Sequence, residues 1–262
     1  MNETANGFLE QTLEGAHPEY FSLYRVLKTW AANLWTAYTP IPEQIDHGPK
    51  HSDKMMEFAG ILLKPLMEPG SRYRPNDGEL FLLAASIALH DIGMQTGWSQ
   101  FLGIGAAVHS LTPDQRKNIR LTHAETTAFV LGNFHTDFPG WLENELTGAQ
   151  AKILKNDMRE PLALICKLHN SRDLGNDLEK AKDTVQKYRD RRINIPFLAA
   201  AVQLCDALDM SKHRVNEPVF HDALPKWLGG TPHEAGYTAK EWLRFFRCYL
   251  VESVDLFPAN PG

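Results

Sequence analysis

The stretch ELFLLAASIALHDI, residues 79–92, constrains this chain more than any other. It is apolar almost all round, and a helix of that kind must be covered on every face. The sequence therefore predicts a helix over 79–92 at the centre of the molecule. The elements available to cover it are helical too: few stretches alternate with period two, and β-branched residues do not cluster. Residues 19–38 carry Phe21, Tyr24, Leu27, Trp30 and Leu34 at three-to-four spacing, and residues 51–67 continue with Met55, Phe58, Ile61, Leu62 and Leu66. In SLTPDQR, Thr112 reads as an N-cap with Pro113 at the first helical position. One helix is expected from there through Arg120, and another over 122–134. Further helices are expected over 149–168, 177–192 and 195–209. Trp242, Phe245, Phe246 and Tyr249 predict a last one over 238–255, packed on the core. The fold class is all-α, a helical bundle.

A chain of 262 residues suffices for one large core or one core with a small appendage. No run of 18 apolar residues exists, so the sequence predicts no membrane span. The acidic start, MNETANGFLEQTLEG, lacks the apolar core of a secretory signal. Three widely spaced cysteines, Cys166, Cys205 and Cys248, read as reduced, buried thiols of a cytoplasmic protein. The net charge of −5 argues against a double-stranded nucleic-acid surface built on general electrostatics. Proline and glycine become frequent after about residue 215, and the final FPANPG reads as a linker into a further module. The expected organisation is an N-terminal helical extension over 1–44, a core over 45–215 and a C-terminal helical extension over 216–262.

Chemistry enters where ionisable residues interrupt apolar faces. His90 is three after Ile87 and seven after Leu83, so it shares their buried face, with Asp91 beside it. Burying an adjacent imidazole and carboxylate costs several kcal/mol unless something pairs them. A divalent metal does this, and so does a hydrogen-bonded core pair; this doublet alone does not separate the two. The oddity recurs. In LALICKLHN, His169 is four after Ile165; in FLAAAVQLCDALD, Asp206 is four after Val202; in LTHAETTAFVL, His123 is four before Thr127 and seven before Val130. Each taken singly reads as a satisfied core residue. Four such helices together exceed what a core absorbs unpaired. The stretch DHGPKHS adds His47 and His51. Proline disfavours helix in the residue before it, so the two histidines need not share a helical turn. His51 begins the helix, and His47, ahead of Gly48 and Pro49, is expected beside any ligands or on the substrate side.

His51, the doublet His90-Asp91 and then Asp206 resemble the His…His-Asp…Asp pattern of HD-domain metal-dependent phosphohydrolases. HSDKMMEFA is similar to that family's first metal helix, and IALHDIGM to its most recognisable string. The resemblance covers about residues 45–215 and implies a helical bundle with the metal site in its core. It also implies catalysis on a phosphate ester or phosphodiester of a nucleotide or cyclic (oligo)nucleotide, by metal-activated water. His123 and His169 fall where two-metal members carry additional histidines, which implies a dinuclear site bridged by Asp91. Two departures keep a mononuclear site open, with His123 and His169 moving protons or meeting substrate: the later His-His pair reads His169-Asn170, and the Gly-Tyr-Pro motif is absent. The run YTPIPEQIDHGPKHS with LHDIGM is most similar to HD domains of bacterial conflict systems. That implies a role in antiphage defence and a partner or fused effector module, with homo-oligomerisation left open.

The resemblance thus assigns His51, His90, Asp91, His123, His169 and Asp206 as metal ligands, with Asp91, His123 and His169 catalytic. The cofactor is one or two divalent ions of Mn, Fe, Co, Ni, Zn or Mg. A small phosphorylated or nucleotide substrate needs cations. Lys50, beside the first ligand, and Lys212 and Arg214, after Asp206, are the candidates together with His47. The charged run EKAKDTVQKYRDRR reads first as a solvated face and second as a lid over an anionic substrate. Two other functions fit parts of the pattern: a catalytically idle HD fold that senses a nucleotide for a partner, and a helical interaction domain without metal.

Overall fold

A computed structural model of the chain describes residues 7–37, 47–95, 112–132, 146–215, 221, 247–251 and 254. Helix α4, Asp77–Leu89, occupies the centre, and every residue from Gly78 to Leu89 is buried. It starts on a capping box: the Asn76 side chain accepts from the Glu79 amide, and the Glu79 side chain accepts from the Asn76 amide. Helices α1, Phe8–Ala16; α2, Pro18–Ala37; α3, Pro49–Met67; α7, Arg159–Leu168; and α10, Ile195–Leu208, all pack against it. This enclosure is why its sequence shows no polar side. A short 3₁₀ turn, Ile92–Met94, follows α4.

Helix α5, Pro113–Gly132, lies along α7 and along that turn. It is one helix, where two were expected with a break near Arg120. Nothing between Arg120 and Thr122 interrupts it, and the Thr122 hydroxyl donates back to the Asn118 carbonyl at 2.9 Å rather than capping a new start. The Thr112 cap forms as expected, with the Gln115 amide 3.2 Å from Oγ1. Helix α6, Gly148–Ile153, runs through a π-helical turn, Leu154–Met158, into α7. The single helix expected over 177–192 is instead two: α8, Leu174–Lys180, and α9, Lys182–Asp190, separated at Ala181. Ala181 offers no glycine or proline signal for that break.

No strand occurs among the described residues, and no helix among them is long and apolar enough to cross a membrane. Cys166, Cys205 and Cys248 are buried and form no disulfide. The expected helix over 238–255 lies outside the described residues apart from 247–251 and 254, as do Trp242, Phe245 and Phe246, the proline- and glycine-rich stretch and FPANPG.

Two features fix the far end of α4. Gly93 is held so close to α5 that a Cβ there would sit 2.1 Å from the His123 carbonyl oxygen. A glycine just past a helix commonly serves to end it and let the chain turn away. The helix already ends at Leu89, and no φ in the left-handed region is recorded for Gly93; close approach is what demands glycine. The buried Thr127 hydroxyl secures the contact, accepting from the Gly93 amide and donating to the His90 carbonyl, each at 2.9 Å.

Candidate metal centre

Three helices each present a histidine with one repeated hydrogen bond. His90 caps the C-terminus of α4, His169 caps that of α7, and His123 lies on α5. Each uses Nδ1 on the carbonyl three residues earlier: His90 to Ile87 at 2.9 Å, His123 to Arg120 at 2.7 Å and His169 to Cys166 at 2.5 Å. A carbonyl only accepts, so each Nδ1 carries a proton. In the neutral imidazole, Nε2 is then a bare lone pair. His51, on the first turn of α3, is oriented by a carboxylate instead: its Nδ1 lies 2.6 Å from Asp209 Oδ2.

All four Nε2 atoms converge on acidic oxygens. Asp91 Oδ1 is 3.2 Å from His123 Nε2 and 3.4 Å from His169 Nε2. Its other oxygen, Oδ2, is 3.0 Å from His90 Nε2 and 4.0 Å from His51 Nε2. His51 Nε2 also lies 3.2 Å from Asp206 Oδ1. One carboxylate thus divides its oxygens between two sets of histidines. The two imidazoles of the second set face each other, with Nε2 atoms 3.1 Å apart. Two neutral lone pairs at that distance repel, so the pair is suited to sharing a cation, either a proton on one ring or a metal ion held by both. His90 Nε2 and His51 Nε2 are buried without a hydrogen-bond partner. The Asp206 contact falls within ion-pair distance but makes no well-directed hydrogen bond.

The charges point the same way. Asp206 and Asp209 lie 3.9 and 3.8 Å from the Arg214 guanidinium, and Asp91 lies among the histidines. Burial works to raise all three carboxyls, and their partners overcome it. His90 and His47 hold Asp91 low, His51 holds Asp206 low, and His51 followed by Arg214 holds Asp209 low. Against burial, Asp91 holds His90 and His123 above the ordinary histidine value, so the carboxylate charge that Arg214 leaves among the described residues is offset by protonated imidazoles or, equally, by a divalent ion that takes the place of their protons. A divalent ion fits the donor set: imidazole nitrogens with fixed tautomers, carboxylates and no thiolate. Three overlapping groups have ligand atoms close enough to share one ion: His47, His51 and Asp91; His51, His90 and Asp206; His90, Asp91 and His169.

The structure therefore brings together all six residues expected as ligands. They are buried except Asp206, whose side chain is 32% exposed and marks the open side. His47 lies outside α3, before its Gly48 cap, yet reaches the cluster from that side. Its Nδ1 sits 2.6 Å from Asp91 Oδ2 and 3.2 Å from Arg214 Nη2, so it can donate to the first or accept from the second, not both. Burial pushes His47 down to about 4, and the Arg214 charge adds to that. Arg214 is itself buried, donating from Nη1 to the Asp209 carbonyl at 2.8 Å. Lys50 is exposed on the first turn of α3, and Lys212 lies with Nζ 5.1 Å from the Tyr249 ring centre. Neither is drawn into the cluster.

Asp209 follows Asp206 by three residues, a spacing that suits it to orienting a ligand or binding Arg214 without being a ligand itself, and it contacts both His51 and Arg214. Sequence reasoning gave no part to Thr127. Thr127 lies four after His123 on the same buried stripe; its polarity was the available signal.

The family described as HD-CE matches residues 34–252, and the chain belongs to it. No curated protein and no solved structure matches the chain.

Proposed function

We propose that this HD-CE chain is a metal-dependent phosphohydrolase acting on a phosphate ester or phosphodiester of a nucleotide or cyclic (oligo)nucleotide. One observation carries the reading: the Nε2 atoms of His123 and His169, with their protons committed at Nδ1, face each other and Asp91 Oδ1 in a buried site. In this reading His51, His90, Asp91 and Asp206 would hold one divalent ion, and Asp91, His123 and His169 would hold a second. Bound ions there lower the pKa of water toward neutrality and offset charge on phosphoryl oxygens.

The chain's own residues supply position and tautomer. The carbonyls of Ile87, Arg120 and Cys166 keep three imidazoles aimed inward, and Asp209 does so for His51. Thr127 and Gly93 hold the His90-Asp91 turn against α5. Substrate enters beside Asp206 and His47, where Arg214 can present Nη2 to a phosphate oxygen. The setting in a bacterial conflict system rests on the sequence resemblance alone.

The test is metal analysis of the purified chain, joined to a panel of NTPs, dNTPs, cyclic dinucleotides and generic phosphodiesters. We expect bound divalent metal and turnover of at least one nucleotide, both lost in His90→Ala and Asp91→Ala. Turnover that survives either substitution refutes the site. Metal without turnover on any substrate leaves a nucleotide-sensing module in place of an enzyme.

A further inference from the structure

A second charged site lies at the opposite end of α4. A pocket of ≈ 420 Å³ opens there, and Tyr73, Arg74, Glu79, Arg189, Arg192 and Asn194 are among its lining residues. Its volume falls within the range of small-molecule sites. It is separated from His90 by the length of the helix, about 20 Å for thirteen residues.

The cations on α8, α9 and the turn after them divide into two kinds. Lys180 pairs with Asp177, Lys182 with Glu179, Lys187 with Glu160 and Arg191 with Asp157. Arg189 and Arg192, and Arg74 across the pocket, have no side-chain partner among the described residues, and all three residues line the same cavity. The one carboxylate in the wall does not answer them. Glu79 Oε1 already accepts from the Tyr73 hydroxyl at 2.7 Å and the Asn194 amide at 2.8 Å, and Oε2 from the Asn76 amide at 2.9 Å. Arg192 is placed by the end of α9: it follows the Arg191 C-cap with φ 62°, and the Ile193 amide closes the turn on the Tyr188 carbonyl at 2.9 Å. The Asn76 side chain fixes this turn beside the pocket by donating to the Arg192 carbonyl at 2.6 Å.

We propose that this pocket binds a polyphosphate chain, free or as the tail of a nucleotide. Three guanidiniums match the several oxygens of such a chain, since each offers paired donors to phosphate. The pocket also stands at the common origin of two helices that reach the metal centre: α4 ends on His90, and α10 carries Asp206 in its last turn. Glu79 ties both starts together through Asn76 and Asn194. The proposal does not depend on the phosphohydrolase reading.

Isothermal titration of inorganic tripolyphosphate into full-length His90→Ala, at low salt, tests the pocket without the metal centre. We expect binding that Arg74→Ala/Arg189→Ala, added to His90→Ala, weakens about a hundredfold, near tenfold for each guanidinium. Arg192→Gly keeps the backbone conformation and should weaken it about tenfold. ATP in place of tripolyphosphate identifies the source: equal affinity assigns a free polyphosphate, and tighter ATP binding a nucleotide. Binding that disappears in His90→Ala alone, or that ignores the arginine substitutions, overturns the proposal. All three arginines are exposed, so their replacement leaves the core intact.

Discussion

Helix α4 carries a buried carboxylate near each end, and the two are completed in opposite ways. Glu79, in the first turn, meets donors: a phenol and two backbone amides spend both its oxygens. Asp91, just past the last turn, meets histidine Nε2 atoms whose rings have placed their protons elsewhere. Both are nearly inaccessible, so burial does not distinguish them. The difference lies in what is missing. A carboxylate surrounded by donors is a structural joint. A carboxylate surrounded by imidazole nitrogens is suited to sharing a cation with them, and that makes it the candidate functional site.

The strongest way to break this comparison is to truncate each acid. Asp91→Ala should lower turnover by about a thousandfold or more and empty the centre of metal, measured by single-turnover assay and elemental analysis. Glu79→Ala should leave metal content near wild type but reduce unfolding free energy by about 3 kcal/mol in denaturant titration, because several buried donors lose their acceptor. If Glu79→Ala emptied the centre while Asp91→Ala merely unfolded the chain, the assignment of roles would be reversed.

Next in size is Gly93→Ala. The added methyl collides with backbone of α5, so a loss of about 3 kcal/mol or more is expected in the same titration. A near-neutral result would show that the turn and α5 are not held as closely as described. Asp209→Asn sharpens the comparison at a single ligand. It leaves His51 in place but weakens the bond that fixes its tautomer, so metal affinity should fall about 10- to 100-fold with little change in melting temperature.

The smallest effect belongs to a third carboxylate, Glu160. It has a cationic partner, but on the surface: Lys187 lies 2.5 Å away with both side chains 48% exposed. The hydrogen bond from Lys187 holds its carboxyl below the usual range, against burial and with help from Tyr188. A depressed carboxyl stabilises the fold above its unfolded pKa, near 4.3. That stabilisation disappears as pH falls through the folded value. Glu160→Gln should therefore cost less than about 0.5 kcal/mol at neutral pH, and nothing once both states are protonated.

Much of the site was legible because its residues violate local pattern. His90, Asp91, His123, His169 and Asp206 each place an ionisable group on a stripe of apolar neighbours. Periodicity alone exposes such a contradiction. The central helix was legible for the converse reason, since its sequence has no polar face. What remained hidden depends on contacts distant in sequence. The glycine requirement at position 93 comes from α5, thirty residues on. Asp209 acts through His51, which is separated from it by most of the chain. Arg214 reads as part of an exposed basic loop but is folded inward against Asp209 and His47. The arginine pocket joins residues 74 and 189–192, and in sequence its cations cannot be told from the paired ones beside them.

Metal stoichiometry in the purified full-length chain tests the central claim most directly. After equilibration with Mn, Co or Zn, the account predicts two tightly held divalent ions per chain, one in His123→Ala and none in Asp91→Ala. A wild-type chain that binds no metal, or an Asp91→Ala chain that binds as much as wild type, would contradict it.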